Sequence, residues 1–143
     1  MSATTAAPAR QYYMVLSEVC PEVMGPVREM VRAHLRLWRR SELSSVAELG
    51  VTELLTNVHK HAPGACELLV RETVDGITVE VTDFDSVLPA VKEPTEDEES
   101  GRGLFLLSML TETLQIEPLR GGKRVWFHLR EPPYRRDPQK APD

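Results

Sequence analysis

Glu53 and Asn57 stand four residues apart in the run Glu-Leu-Leu-Thr-Asn-Val-His-Lys-His-Ala at 53–62. On a helix that spacing brings a carboxylate and a carboxamide to neighbouring places on one face. A carboxylate so placed can take a proton from an attacking hydroxyl, and an amide oxygen is a hard ligand for Mg²⁺, which prefers oxygen donors and keeps part of its water shell. Further on, Gly101-Arg102-Gly103 precedes an apolar stretch that begins at Leu104. Glycines at the start of a helix let backbone N–H groups approach an anion without interference from a Cβ, and Arg102 adds a charged hydrogen bond. Acid, cation ligand and anion cradle together describe phosphate chemistry. A structural hydrogen-bond pair at a helix edge and a plain helix-start turn are the competing readings, and spacing alone leaves both open.

The carrier of Glu53 and Asn57 must be a helix whose polar residues do not all fall on its wet side. At about 100° per residue, Glu48, Thr52 and His59 share one side, expected to face solvent, while Ala47, Val51, Leu54 and Val58 share the core side. Asn57 falls roughly 20° from Val46 by the same rotation, with Glu53 beside it and His61 further into the apolar sector. A charge sheltered there is costly unless it is paired or coordinated, so something polar should occupy the space it faces. Ser44 or Ser45 can open this helix, Glu48 completes a capping-box pattern with Ser45, and Pro63-Gly64 ends it after about His61.

The remaining elements follow from composition and period. Gln11 to Leu16 is aromatic and β-branched, as a strand would be. From Pro21 the residues Val23, Val27, Met30, Val31, His34 and Trp38 recur at helical spacing, opposite Arg28, Arg32, Arg36, Arg39 and Arg40. Those arginines read as a solvated face, with a docking surface for an acidic partner as the alternative. His34, on the apolar stripe, should fill core space and donate to a backbone carbonyl. Cys66 to Glu72 and Ile77 to Asp83 are strands joined through Val74-Asp75-Gly76, a hairpin signal. Ile77, Val79 and Val81 alternate with polar residues, which places Asp83 on the buried side. Residues 84–100, with Pro89, Pro94 and the acidic run Glu96 to Glu99, form a long loop. A helix from Leu104 to about Leu110 and strands near Thr113 to Glu117 and Lys123 to Arg130 complete an α+β two-layer sandwich, its sheet mixed but mostly antiparallel and its helices on one face.

With 143 residues and 41% hydrophobic content the chain supports one core. We assign one domain to residues 11–130, between disordered tails at 1–10 and 131–143. A net charge of -5 argues against nucleic acid as a partner. Neither a membrane-length apolar stretch nor a signal-peptide pattern occurs, so a cytoplasmic protein is expected. Cys20 and Cys66 are too few for a disulfide framework and suit reduced, buried thiols. A zinc site from His59, His61 and Cys66 is disfavoured because the two histidines lie about 200° apart on the helix.

The order of motifs, from the helix run at 53–62 through Val-Thr-Asp at 81–83 and Gly-Arg-Gly-Leu at 101–104 to Gly-Lys-Arg-Val-Trp at 122–126, resembles the histidine-kinase-like ATPase (GHKL) superfamily with its Bergerat ATP-binding fold. Within it the chain is similar to anti-sigma-factor serine kinases of the RsbW and SpoIIAB type and to small actinobacterial ATP-binding regulators. The resemblance covers about residues 11–130. It implies Glu53 as catalytic base, Asn57 as Mg²⁺ ligand, Asp83 as acceptor from the adenine amino group, and Gly101 and Gly103 framing the phosphates, with His61, Arg102 and Leu104 among the nucleotide contacts. Two departures stand out. Asp85 occupies the place of a glycine in the adenine box, and Lys123 and Arg124 stand where a threonine is usual, so the base could be held through Lys123. The implied cofactors are ATP and Mg²⁺. The implied function is a serine/threonine kinase that phosphorylates an anti-anti-sigma partner and sequesters a sigma factor, as a homodimer; an ATP-sensing module that acts by contact alone is the alternative.

Overall fold

Pro21, whose fixed φ suits the first helical turn, opens helix α1 (Pro21–Leu37), and Val27, Val31 and Leu35 follow at every fourth residue and are all buried. The computed structural model describes residues 9–61, 64–84, 111 and 113–132. Trp38 caps α1 and Arg39 then turns into the left-handed region at φ 59°. The Arg39 N–H donates to the Arg36 carbonyl and the Arg40 N–H to the Leu35 carbonyl, a Schellman closure built without glycine. A short 3-10 turn at Ser41–Leu43 leads into α2 (Ser44–His61).

Five strands form one sheet: β1 (Gln11–Leu16), β2 (Cys66–Glu72), β3 (Gly76–Asp83), β4 (Thr113–Leu119) and β5 (Gly122–Arg130). Their order is β1-β2-β3-β5-β4, and every described pairing is antiparallel, so the mixed character expected of the sheet does not occur among the described strands. Pro118, which has no N–H to give a ladder, sits on the edge strand β4. Register stacks the helix-facing residues in rows across the strands. One row is Tyr12, Val70, Val79, Phe127 and Leu114; the next is Met14, Leu68, Val81, Val125 and Ile116. Their buried members form the core with α1 and α2, so both described helices cover the same face and the architecture is the two-layer α+β sandwich expected.

Two expectations about the helices change. Of the residues of α2 assigned to solvent, His59 is exposed but Glu48 and Thr52 face α1: Arg28 donates to the Thr52 hydroxyl, and Arg32 donates to Glu48 and pairs with it. The Glu48 carboxylate also accepts from the Ser44 hydroxyl at 2.8 Å instead of closing a capping box with Ser45. Nor are the arginines of α1 one solvated face. Arg28 and Arg32 bind α2, and Arg40 pairs with Glu72 and Glu131, while Arg36 and Arg39 remain exposed. His34 does fill space beside the core, stacked on Tyr12 at 4.1 Å, with Nδ1 2.8 Å from the Met30 carbonyl. Arg10 and Glu131, which flank the expected domain bounds, are tied in by ion pairs to Glu72 and Arg40.

Candidate functional site

The third row of the sheet breaks the apolar pattern. It runs Leu16, Cys66, Asp83, Lys123 and Pro118, and its two central strands carry opposite charges facing the helices. Lys123 Nζ lies 3.0 Å from Asp83 Oδ1, with the two side chains only 6% and 3% exposed. Such a pair avoids the large penalty of an isolated buried charge by neutralising itself. Beside it the Cys66 thiol is pushed up to about 11, first by burial and then by the charges of Asp83 and Glu67, so it stays protonated and inert. Gly122 permits this row: a Cβ there would run into the backbone carbonyl of Asp83.

The direction of α2 sets which of its residues meet that row. Val46, in its first turn, shares a surface hollow of about 300 Å³ with Leu129 and Arg130, at the opposite end of β5 from Lys123. At the other end His59 Nδ1 lies 2.9 Å from the carbonyl of Val19, three residues beyond Leu16 of the polar row. From Ser44 to Asn57 the helix advances about 20 Å, and β3 advances about 20 Å from Ile77 to Asp83. The half of α2 that carries Glu53 and Asn57 therefore lies toward the Asp83–Lys123 end of the sheet.

Glu53 and Asn57 are both partly buried, and neither makes a side-chain hydrogen bond or ion pair among the described residues. Burial holds the Glu53 carboxyl above the usual carboxylate range, partly offset by the charge of Lys60. A sheltered carboxylate with raised proton affinity and an unengaged amide one turn away can accept a proton and hold an oxygen-preferring cation. His61, the last residue of α2, is exposed instead of turned into the apolar sector. Gly101, Arg102, Gly103 and Leu104 lie outside the described residues, as does Asp85. Among the described residues no group of three His, Cys, Asp or Glu side chains could hold a metal.

Residues 18–129 match the family described as the histidine kinase-like ATPase domain. The chain belongs to that family. The match takes in α1, α2, four of the five strands and both halves of the site, so the GHKL type of ATP-binding domain is the frame in which these residues are read. No curated protein matches the chain. No described helix is long and apolar enough to cross a membrane.

For the nucleotide that the family implies, the side chains fit with one qualification. Asn57 suits a hard cation, Glu53 a proton, and Asp83 a base that donates hydrogen bonds, but Asp83 is already bonded to Lys123. Sequence reasoning placed both residues in the site without joining them. The signal was present: the alternation of Ile77, Val79 and Val81 turns Asp83 inward, and that of Val125, Phe127 and Leu129 turns Lys123 the same way. What was missing was the register that makes them direct neighbours.

Proposed function

We propose that this chain is a Mg-ATP-dependent serine/threonine kinase that phosphorylates an anti-anti-sigma partner and alternately sequesters a sigma factor, working in the cytoplasm as a homodimer. The observation that carries the catalytic part is the pair Glu53 and Asn57, partly buried, bonded to no described side chain, and carried on the half of α2 that lies toward the Asp83 end of the sheet. The resemblance in motif order supports the class of partner.

Mg-ATP, when bound, supplies the γ-phosphoryl group. Asn57 would give its amide oxygen to the cation. Glu53 would orient the partner's serine or threonine hydroxyl and take its proton as the new P–O bond forms and the bond to ADP breaks; its raised proton affinity suits that role. Asp83 and Lys123 would meet the base. The turn at Gly101, Arg102 and Gly103, with Leu104 behind it, is assigned to the phosphates on the motif alone.

Incubation with γ-labelled ATP and small acidic candidate partners tests this reading. Label should pass to a serine or threonine of the partner and fall by about 10²–10⁴-fold in Glu53→Ala with nucleotide binding retained. Tight binding of Mg-ATP without transfer to any partner would support the second reading, an ATP-sensing module that acts by contact. The Asp83–Lys123 bond is what favours that alternative, since it occupies part of the acceptor a base would use.

A further inference from the structure

The two edges of the sheet are built differently. β4 carries Pro118 and the exposed Glu117, devices that discourage a further strand from pairing. β1, at the other edge, reads Gln-Tyr-Tyr-Met-Val-Leu, with no charge, proline or glycine. The Glu72 N–H donates to the Arg10 carbonyl, which continues the register of β1 on β2 by one residue and fixes its phase. Bonded and non-bonded pairs alternate in an antiparallel ladder, so Tyr12, Met14 and Leu16 bond β2, while the N–H and C=O groups of Gln11, Tyr13 and Val15 point off the sheet. No described strand lies beyond them, and Tyr13 and Val15 are 53% and 60% exposed.

The helix above that edge has the same character. α1 lies over β1, since His34 stacks on Tyr12 and Arg10 donates to the Trp38 carbonyl, and its Arg28 and Arg32 face α2 on the other side. At about 100° per residue, Pro26, Met30, Ala33 and Leu37 fall on the flank away from α2, and all four are exposed. Tyr13, Val15, Met30 and Leu37, most of the exposed large hydrophobic side chains among the described residues, thus lie along one side of the molecule. We infer that the chain forms a two-fold homodimer through this side, with β1 paired antiparallel to its copy, Tyr13 opposite the partner's Tyr13 and Gln11 opposite the partner's Val15. Every outward N–H and C=O of β1 is then bonded, and the two sheets become continuous.

Charge complementarity singles out a second copy as the occupant. β1 and α1 run in opposite directions, so an antiparallel β1 pair sets the two α1 helices side by side and antiparallel. One strand residue spans about two helix residues; with His34 over Tyr12, the two-fold axis through Tyr13 passes near Arg32 of α1. Glu29 of one helix is then level with the partner's Arg36, and Leu37 with the partner's Pro26, each to about one residue. Glu29 and Arg36 are exposed, and neither forms an ion pair with a described residue. The inference rests on the proposal above only for the homodimer, to which it gives a surface.

Sedimentation equilibrium of the full chain tests it, with circular dichroism to check folding. The unaltered protein should be dimeric at about 10 μM. Tyr13→Pro removes an outward N–H without touching the ladder to β2 and should raise the dimer dissociation constant by about 100-fold or more; if it fails to fold, Val15→Lys, which puts a charge on the edge, carries the comparison. Glu29→Arg and Arg36→Glu should each weaken the dimer by about 3- to 10-fold, and the two together should return it to within about threefold of the unaltered protein. A monomer up to about 100 μM overturns the inference and the homodimer with it, leaving the chemistry assigned to Glu53 and Asn57 untouched. A dimer whose affinity survives Tyr13→Pro, or charge reversals that do not rescue each other, overturns the inference while a homodimer through another surface stands. Loss of the expected phosphotransfer beside an intact, edge-sensitive dimer strikes the kinase reading alone and upholds the interface.

Discussion

Asp83→Ala removes one half of a buried ion pair. Lys123 is only 6% exposed at the side chain, so its ammonium would lose a carboxylate at 3.0 Å with little water to replace it. Breaking such a pair from one side costs about 3–5 kcal/mol, against a total stability on the order of 5–15 kcal/mol for a domain of this kind. With a urea m-value of about 1–3 kcal/mol/M, the unfolding midpoint should fall by about 1–3 M, leaving the variant near the edge of folding. Lys123→Met in the same chain removes the other buried charge, and the double variant should recover about 2–3 kcal/mol of the loss. Urea denaturation followed by circular dichroism, run as a double-mutant cycle, reads this directly. Single costs that add within about 0.5 kcal/mol would refute the coupling and with it the structural role given to the pair. The cycle also guards the binding assays, because loss of nucleotide affinity in Asp83→Ala cannot be assigned to a base contact until its folded fraction is known.

Three further outcomes follow from individual residues. Arg39→Gly should stabilise by about 0.5–1 kcal/mol in denaturant titrations, since Arg39 holds the left-handed closure of α1 that glycine adopts without steric cost. The Glu48 carboxyl is held below its ordinary value of 4.5, first by the hydrogen bond from Arg32, with burial opposing. Its contribution is therefore complete above about pH 4.5 and is lost as pH falls through the lower folded value, so melting temperatures between about pH 5 and 3 should fall less steeply in Glu48→Gln than in the unaltered protein. Glu53 shifts the opposite way, by burial offset by Lys60, so its ionisation opposes folding as pH rises through the raised value; Glu53→Gln should raise the melting temperature at pH 7 by about 1–3 °C and leave it unchanged well below pH 4.

Where period decides structure, the sequence was sufficient. β1 and β2 run over the expected residues, and α2 ends at His61 as its stop signal required. Asp83 is buried because it continues the alternation of Ile77, Val79 and Val81. Failures occur where a side chain's partner lies on another element. The Ser45–Glu48 capping pattern is a local signal, but a nearby guanidinium on α1 and the Ser44 hydroxyl take Glu48 instead. The end of α1 carries no glycine, so nothing local announces its Schellman closure, and Arg39 adopts the positive φ because Trp38 and Leu35 are fixed in the core.

Helix α2 shows why its polar residues were partly legible and partly misassigned. It is polar for different reasons in different places: Glu48 and Thr52 bind the arginines of α1, Lys60 and His61 are exposed, and Glu53 and Asn57 are partly buried without a described side-chain partner. A helical wheel separates polar from apolar but cannot separate one polar purpose from another. Once the α1 contacts account for Glu48 and Thr52, and exposure accounts for Lys60 and His61, Glu53 and Asn57 remain as a carboxylate and a carboxamide one turn apart that folding does not explain. Glu53 and Asn57 take part of their hydration loss without a described partner in return, and a stable domain tolerates such groups where a ligand will complete them. The neutral Asp83–Lys123 pair at the same end supplies the contrast: its charges offset each other inside the protein, so it serves folding first.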